Sequence, residues 1–366
     1  MTDGRGDLTY PFVAVRSYYF FAKKAARRRE HFSALNRFTA RWFYVTRTKF
    51  VSRSKKPMKI MKSLFLIMTL PLLLAGCGHS VSADTELPDQ EAKLVVNDRL
   101  GADPFAEYWY AGKAEVNSYD LSQSRYGENR NGDAVLVFVT EPFSQNKQVK
   151  LDDPDGAGED RVTVLKTNFL RRFHTGIYDY STMLSVFTPV STDRFPHTLK
   201  STFGAQDWCG QVFEQINLDD DEYRIRAYSY FEQEGDTDQS VDVVMLEDEL
   251  FNRIRLNPET IPEGNRQFLP GSLYARLLHR EQTPKQARVT KTDQGDRTLL
   301  AIEYLHIPRT LTITYQNEFP HRILQWSEED GEHTTTARLR ESIQSPYWQQ
   351  NSRRYAFMRD SLQLLY

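Results

Sequence analysis

The sequence predicts a mainly β fold: a large curved antiparallel sheet, or a partly open barrel, with a few short helices at its edges. Three observations predict it. After residue 104 about a dozen short segments alternate apolar and polar residues with period two. Phe and Tyr are abundant, at 22 and 19 residues, and aromatic side chains suit pleated surfaces. The regular strand–helix alternation that parallel crossovers need is missing, which excludes a doubly wound α/β domain.

The chain divides by charge before it divides by pattern. Residues 1–60 carry 15 Lys or Arg against three Asp or Glu, whereas from Cys77 onward 46 acidic residues face 31 basic ones. An acidic surface over most of the chain argues against nucleic acid as a partner. Between the two parts lies Leu64–Leu74, "LFLIMTLPLLL", about half the 20 or so apolar residues that a spanning helix needs, and broken by Pro71. With Lys59 and Lys62 ahead and small residues behind, it has the proportions of a secretory signal peptide.

Leu74-Ala75-Gly76-Cys77 resembles the lipobox of bacterial lipoproteins, which implies cleavage before Cys77, a diacylglycerol thioether on its sulfur and an acylated amine. Each buried methylene adds about 0.8 kcal/mol, so two or more chains give stable anchoring. The resemblance therefore implies the membrane as a partner through Cys77. Gly78, where an inner-membrane retention signal would have Asp, points to the outer membrane, with the domain in the periplasm or at the cell surface. Residues 1–57 read as a start placed too far upstream or as a disordered basic extension. Residues 58–76 read as the signal peptide, 77–104 as the lipidated cysteine and a flexible tether, and 105–366 as one β-rich soluble domain.

Within that domain Tyr110–Ser118 reads as a strand with one buried face, and Ala134–Thr140 as a central strand. "RYGENRNGD", residues 125–133 between them, reads as a hairpin connection ending near Asn131-Gly132. Further strands are expected at 162–173, 183–187, 198–203, 211–217, 223–232 and 241–246, then at 287–291, 298–304, 311–315, 322–326 and 334–342. Residues 247–255 read as a short helix or an extended strand, 272–280 as a short helix, and 347–365 as a closing helix. A membrane-spanning barrel is disfavoured, since strands such as 223–232 carry charges such as Arg224 and Arg226 on one face.

Chemistry is sparse. With Cys77 lipidated, Cys209 is the remaining thiol; a buried neighbour of Trp208 is the favoured reading, and a nucleophile activated by His174 or His197 the weaker one. The eight histidines show no zinc-type spacing, and no cofactor is implied. "DDDE" at 219–222 and "DDPDGAGED" at 152–160 read as solvated turns rather than calcium loops. Glu303 with Glu318 is a nominal glycosidase pair in a chain too rich in acids for that to carry weight. A concave sheet face holding Tyr110, Phe138, Tyr228 and Trp326 is expected to bind a lipid or another apolar envelope ligand. The alternatives are an assembly lipoprotein that binds a protein partner, and an envelope hydrolase.

The passages "EYWYAGKAEVNSYDLSQSRYGE", "AVLVFVTEPFS", "VFTPV", "WCGQVF", "RTLTITY" and "YWQQNS" resemble an uncharacterised family of bacterial lipoproteins, some of them mislabelled as Maf-type septum formation inhibitors. The resemblance runs from about Glu107 to Leu365. It implies lipoprotein character and carries no activity or catalytic residue with it. True Maf nucleotide pyrophosphatases are α/β enzymes, and this strand-rich chain does not match them. At the level of fold alone, periplasmic lipoprotein carriers with acyl chains in a curved sheet are an analogy.

Overall fold

A computed structural model describes residues 103–365. The expectations for Cys77, the signal peptide and the tether up to residue 102 lie outside these described residues. The first element is a short helix, α1 (Pro104–Trp109), started by the Asp103 side chain accepting from the Phe105 N–H at 3.0 Å and by Pro104 in the first turn. Eight strands follow: β1 (Ala114–Arg125), β2 (Glu128–Ser144), β3 (Arg161–Thr175), β4 (Tyr178–Pro189), β5 (Lys200–Gln206), β6 (Gln211–Asp219), β7 (Glu222–Tyr228) and β8 (Thr237–Asp242). A two-residue strand β9 (Met245–Leu246) leads through a 3-10 turn, Glu247–Glu249, into helix α2 (Leu250–Leu256). Then come β10 (Gly264–Leu269), helix α3 (Ser272–Leu277), β11 (Lys285–Asp293), β12 (Arg297–Tyr304), β13 (Arg309–Gln316), β14 (Ile323–Asp330), β15 (His333–Ser345) and a short helix α4 (Phe357–Ser361).

All fifteen strands form one sheet, in the order β8-β7-β6-β5-β4-β3-β2-β1-β15-β14-β13-β12-β11-β10-β9. It is a meander whose first and last strands pair antiparallel, Ala114 opposite Ser345. Only β9 and β10 run parallel. The large antiparallel sheet expected from the sequence is therefore present, and it is not closed. Its break lies between β8 and β9, which Val243 and Val244 alone separate in sequence. Three Cα steps span about 11 Å at most, so the two edges come close without sharing a ladder.

Several local expectations need correction. The first hairpin turns at Tyr126 (φ 55°) and Gly127 (φ 74°), a two-residue loop with both residues left-handed, so the expected connection ends well before Asn131-Gly132, which lie in β2. Gly132 sits inside β2, where an added Cβ would fall 2.2 Å from the Arg172 carbonyl oxygen. It is a glycine for close strand approach, which the sequence pattern cannot tell from a turn glycine. Tyr110 caps α1, and the strand expected from it begins at Ala114. β7 stops at Tyr228 rather than 232, and the expected 241–246 strand is divided between the end of β8, which starts earlier at Thr237, and the two-residue β9. The segment 347–365 holds two 3-10 turns and the five-residue α4 rather than one closing helix. α1 and β10 were not anticipated.

The hollow of the sheet is filled by the chain itself. All seven residues of α2 are buried, including Asn252, Arg253 and Arg255. Burying such a helix is favourable where its polar groups find partners, and most do, although Arg255 Nε and Nη1 make no hydrogen bond. Asn252 Nδ2 lies 3.0, 3.3 and 2.9 Å from Leu165 O, Val186 O and Thr188 Oγ1, and its Oδ1 accepts from the Thr167 hydroxyl. These bonds tie α2 to β3 and β4. Arg255 pairs with Glu115 of β1 at 2.5 Å, and both side chains are fully buried. Its guanidinium lies 5.3 and 5.1 Å from the ring centres of Trp109 and Phe138. Glu115 also accepts from Tyr108 and, at 2.8 Å, from Asn117 Nδ2. Burial pushes the Glu115 carboxyl up, and Arg255, Tyr108 and Asn117 more than reverse it, so its pKa is lowered. The helix ends at Asn257, ahead of Pro258.

Removing one side of that pair leaves a buried charge. Arg255→Met is expected to lower unfolding stability by about 3–5 kcal/mol in urea titrations. Adding Glu115→Gln in the same background should recover most of the loss. A single-mutant loss below about 1 kcal/mol would contradict the pairing.

Candidate functional site

With the hollow filled, two features stand out: a cleft at one end of the sheet and an apolar row on its outer face. The cleft forms where the β1–β2 turn meets α3. Arg125 lies 4.4 and 5.4 Å from the ring centres of Tyr126 and Tyr180. It donates to Leu277 O at the end of α3 and, at 3.3 Å each, to the hydroxyls of Tyr126 and Tyr180, which are 2.8 Å apart. A cation is well placed at a helix C-terminus. Tyr126 holds a left-handed backbone that a bulky residue adopts only at a cost, and its phenol is the group that meets Arg125 and Tyr180. Burial raises the Tyr126 pKa, but hydrogen bonds to Tyr180 and Tyr178 and the Arg125 charge outweigh it, leaving the phenol below its usual value.

On one side of Arg125 the cleft measures about 240 Å³, between Leu273, Tyr274 and Leu277 and the Glu328–Asp330 end of β14. On the other a recess of about 40 Å³ is bounded by Tyr180, Tyr230, Phe231, Arg276 and His279. Arg276 and His279 both engage Glu234 there, the imidazole Nδ1 at 2.5 Å. Burial raises the Glu234 carboxyl, and bonds from Ser229, His279 and Arg276 bring it below the usual range. Behind the larger cleft, Arg309 grips Glu247 through Nε at 2.9 Å and through Nη2, and Arg171 pairs with Glu328. Glu328 is pushed up by burial and held lower by Arg171 and Arg309.

The outer row crosses the sheet in register. Val135 pairs with Leu170, Leu170 with Met183, Met183 with Gly204, Gly204 with Phe213, and Phe213 with Tyr228. At about 4.8 Å per strand the row is about 24 Å long. Its first part is covered. Leu362 and Leu364 pack over Val116, Val135, Val137 and Leu170. They are held there by Arg340 to Gln363 O at 3.0 Å and by the Leu365 N–H to Asp133 Oδ2 at 2.6 Å. The remainder is open, with Met183 and Phe213 each 43% exposed and Tyr228 51%. Gly204 has no side chain to fill the space between Met183 and Phe213, and an open groove of about 680 Å³ runs there. Ser181, Gln206 and Gln211 line one side of it, and Ser185, Thr202 and Gln215 follow in register on the other.

The residues expected to face a ligand do not converge. Phe138 and Trp326 are buried: Phe138 packs with Trp109, and Trp326 with Tyr119, Phe169 and Phe251. Tyr110 lies at the surface against Phe105. Tyr228 is on the outer row, stacked on Phe213 with ring centres 6.4 Å apart. The expectation that Cys209 is buried is corrected. Cys209 and Trp208 are both exposed in the β5–β6 turn, because the Asp207 side chain folds back on the Cys209 and Gly210 N–H groups. His174, paired with Asp179, and His197 are exposed, as are Glu303 and Glu318. Residues 219–222 form the two-residue β6–β7 hairpin. Among the described residues no group of three His, Cys, Asp or Glu is placed to hold a metal ion, and no helix is long and apolar enough to cross a membrane. Sequence reasoning missed the Arg125–Tyr126–Tyr180 cluster; its one local signal was an aromatic residue before Gly127 in a turn.

No family model matches the chain. No curated protein matches it either. Among solved structures it is similar to a beta-barrel-like protein of domain of unknown function DUF1849 from Brucella abortus. That likeness has 9% identity and a TM-score of 0.41, and it covers 63% of this chain and 98% of the other.

The cleft geometry has a spectroscopic consequence. In an absorbance titration of phenolates, wild type minus Tyr126→Phe should show one tyrosine ionising below a phenol's usual 10. In Arg125→Gln that step should move upward, and coincident curves would disprove the Arg125 contribution.

Proposed function

We propose that the chain is an exported lipoprotein, held at the outer membrane by acyl chains on Cys77, whose β domain holds a protein partner on the outer face of β4–β7. The observation that carries this reading is the half-covered apolar row. The covered half is occupied by a short, largely non-helical segment with leucines two residues apart, Leu362 and Leu364. The open half continues the same row in register, so a partner segment with aliphatic side chains at similar spacing fits it in the same way. Hydroxyl and amide side chains on both sides suit the backbone of such a segment. The four cross-strand positions from Met183 to Tyr228 span about 14 Å, the length of a short peptide stretch.

The lipid-carrier reading draws less support, since the concave side is occupied by α2 and by aromatic side chains such as Phe138 and Trp326. An acyl chain there would have to displace paired charges as well as rings.

Two experiments test the reading separately. Mass analysis of the N-terminal peptide from membranes should find residues 1–76 removed and Cys77 triacylated. An unprocessed chain with a free Cys77 thiol would overturn the anchoring. A photo-crosslinking residue at Met183 should give one protein adduct in whole cells, mapping to an aliphatic segment of that protein. Phe213→Glu with Tyr228→Glu should abolish the adduct while leaving unfolding unchanged. Adducts no more specific than those from exposed Ile177, or a stoichiometric lipid in the purified domain, would overturn partner binding.

A further inference from the structure

The antiparallel meander puts every second turn of β1–β8 at the same end of the sheet. Arg125 pairs with Glu128, Thr175 with Tyr178, Gln206 with Gln211 and Ala227 with Thr237, so four connections close there one after another. Each carries a large apolar side chain at its tip. Tyr126, Ile177, Trp208 and Tyr230 are 60, 84, 69 and 63% exposed, and Phe231 stands beside Tyr230. Turns at the other end of the same strands are acidic: Asp220 and Asp221 form the β6–β7 tip, and Asp152, Asp153 and Asp155 lie exposed between β2 and β3.

Turn chemistry does not ask for these tips. Two-residue hairpins favour Asn, Asp and Gly, and Tyr126 takes its left-handed φ of 55° at a cost. The tips are also pinned rather than left to fold back. The Asp207 carboxylate accepts from the Cys209 and Gly210 N–H groups at 2.6 and 3.2 Å, which sets Trp208 at the apex of its turn. The Tyr230 ring lies against Gly210, where an added Cβ would fall 2.7 Å from it. Phe231 stands edge-on to His279 with ring centres 5.1 Å apart, and its N–H donates to the Ser229 hydroxyl at 3.0 Å.

We propose that this rim of turn tips, Tyr126, Ile177, Trp208, Tyr230 and Phe231, rests in the interfacial layer of a lipid bilayer. The contact is with the membrane surface and not with a single bound lipid. Tryptophan and tyrosine favour the boundary between headgroups and acyl chains. Neighbouring tips stand two strands apart, about 10 Å along the edge, so they form a row. A fluid interface receives the whole row at once, whereas a folded partner would have to be shaped to each separate point. Exposed acids behind the tips, Glu128, Asp179, Glu232 and Asp236, favour a zwitterionic surface over an anionic one.

The rim goes beyond the anchoring proposed above, because it fixes an orientation that acyl chains on Cys77 do not. The described chain starts at the opposite end, where the Trp109 carbonyl at the close of α1 accepts from Thr140 near the end of β2. Hanging from its N-terminus alone, the domain would turn that end to the membrane, with Tyr347 and Trp348 just beyond the Ala114–Ser345 pair. Residues 77–102 span up to about 85 Å when extended. That exceeds the length of seventeen-residue β2, about 58 Å, so the anchor leaves the rim free to face the bilayer instead.

The test mixes the full chain, as purified from cells, with phosphatidylcholine vesicles carrying bromine at the top of their acyl chains, where it quenches tryptophan on contact. Wild-type emission minus that of Trp208→Phe isolates Trp208, and the same subtraction with Trp348→Phe isolates the opposite end. Trp208 should shift to shorter wavelength and be quenched, with Trp348 unchanged. Ile177→Ser with Tyr230→Ser should remove most of the Trp208 quenching and leave unfolding unchanged, since both side chains are exposed. A photo-crosslinking residue at Ile177 should give lipid adducts in whole cells. Quenching of Trp348 in place of Trp208 would overturn the rim, as would a single protein adduct at Ile177. So would an unquenched Trp208, whether or not the chain floats with the vesicles; flotation by itself reports the Cys77 anchor, so the two proposals fail separately.

Discussion

The constraint on which the molecule depends is that a helix carrying charge has to live inside the sheet. A fifteen-stranded sheet whose edges approach to within two residues encloses space that its inward side chains do not fill alone. The segment from Glu247 to Leu256 fills it, and that segment brings three acids, two arginines and an asparagine with it. Desolvating such groups is unfavourable unless each is paired, so the wall must answer them at fixed points. Glu115 and Arg309 do so from opposite parts of the chain. The paired positions fix where α2 sits, and through α2 they fix which strands can face it.

That filling decides which surfaces are left for interaction. The inner face is a core with rings edge to face around Trp326, as aromatic packing prefers. Part of the outer face is also a core, since the final segment covers β1 to β3 there. What stays open is the outer face of β4–β7 and the end of the sheet beside α3. Both border elements that are anchored elsewhere, which lets a surface present side chains without being deformed by what it binds.

The strands were legible because burial on one face leaves a period of two, and β12, β13 and β15 lie close to where that period puts them. The interior was not legible. Residues 247–255 read only as a short helix or an extended strand, and the partner that makes Arg255 a core residue is 140 positions away. Pairing at that distance leaves no local pattern. Tyr228 was expected on the concave side but lies on the outer row, because its face depends on the parity of four successive ladders from Leu170, which one strand's alternation does not reveal. Asn131-Gly132 carries the strongest short turn signal in its region, yet the glycine answers to the Arg172 backbone of a neighbouring strand.

The pairing of β1 with β15 also sets a schedule. Ala114 cannot meet Ser345 until more than two hundred intervening residues have been made. A polypeptide that leaves the ribosome or crosses a membrane from its N-terminus exposes the β1 edge for that whole interval, with its N–H and C=O groups ready to recruit other strands. Contacts this remote in sequence make folding slow. Such a chain has to be escorted by holding factors, or kept dilute, until its last strand emerges.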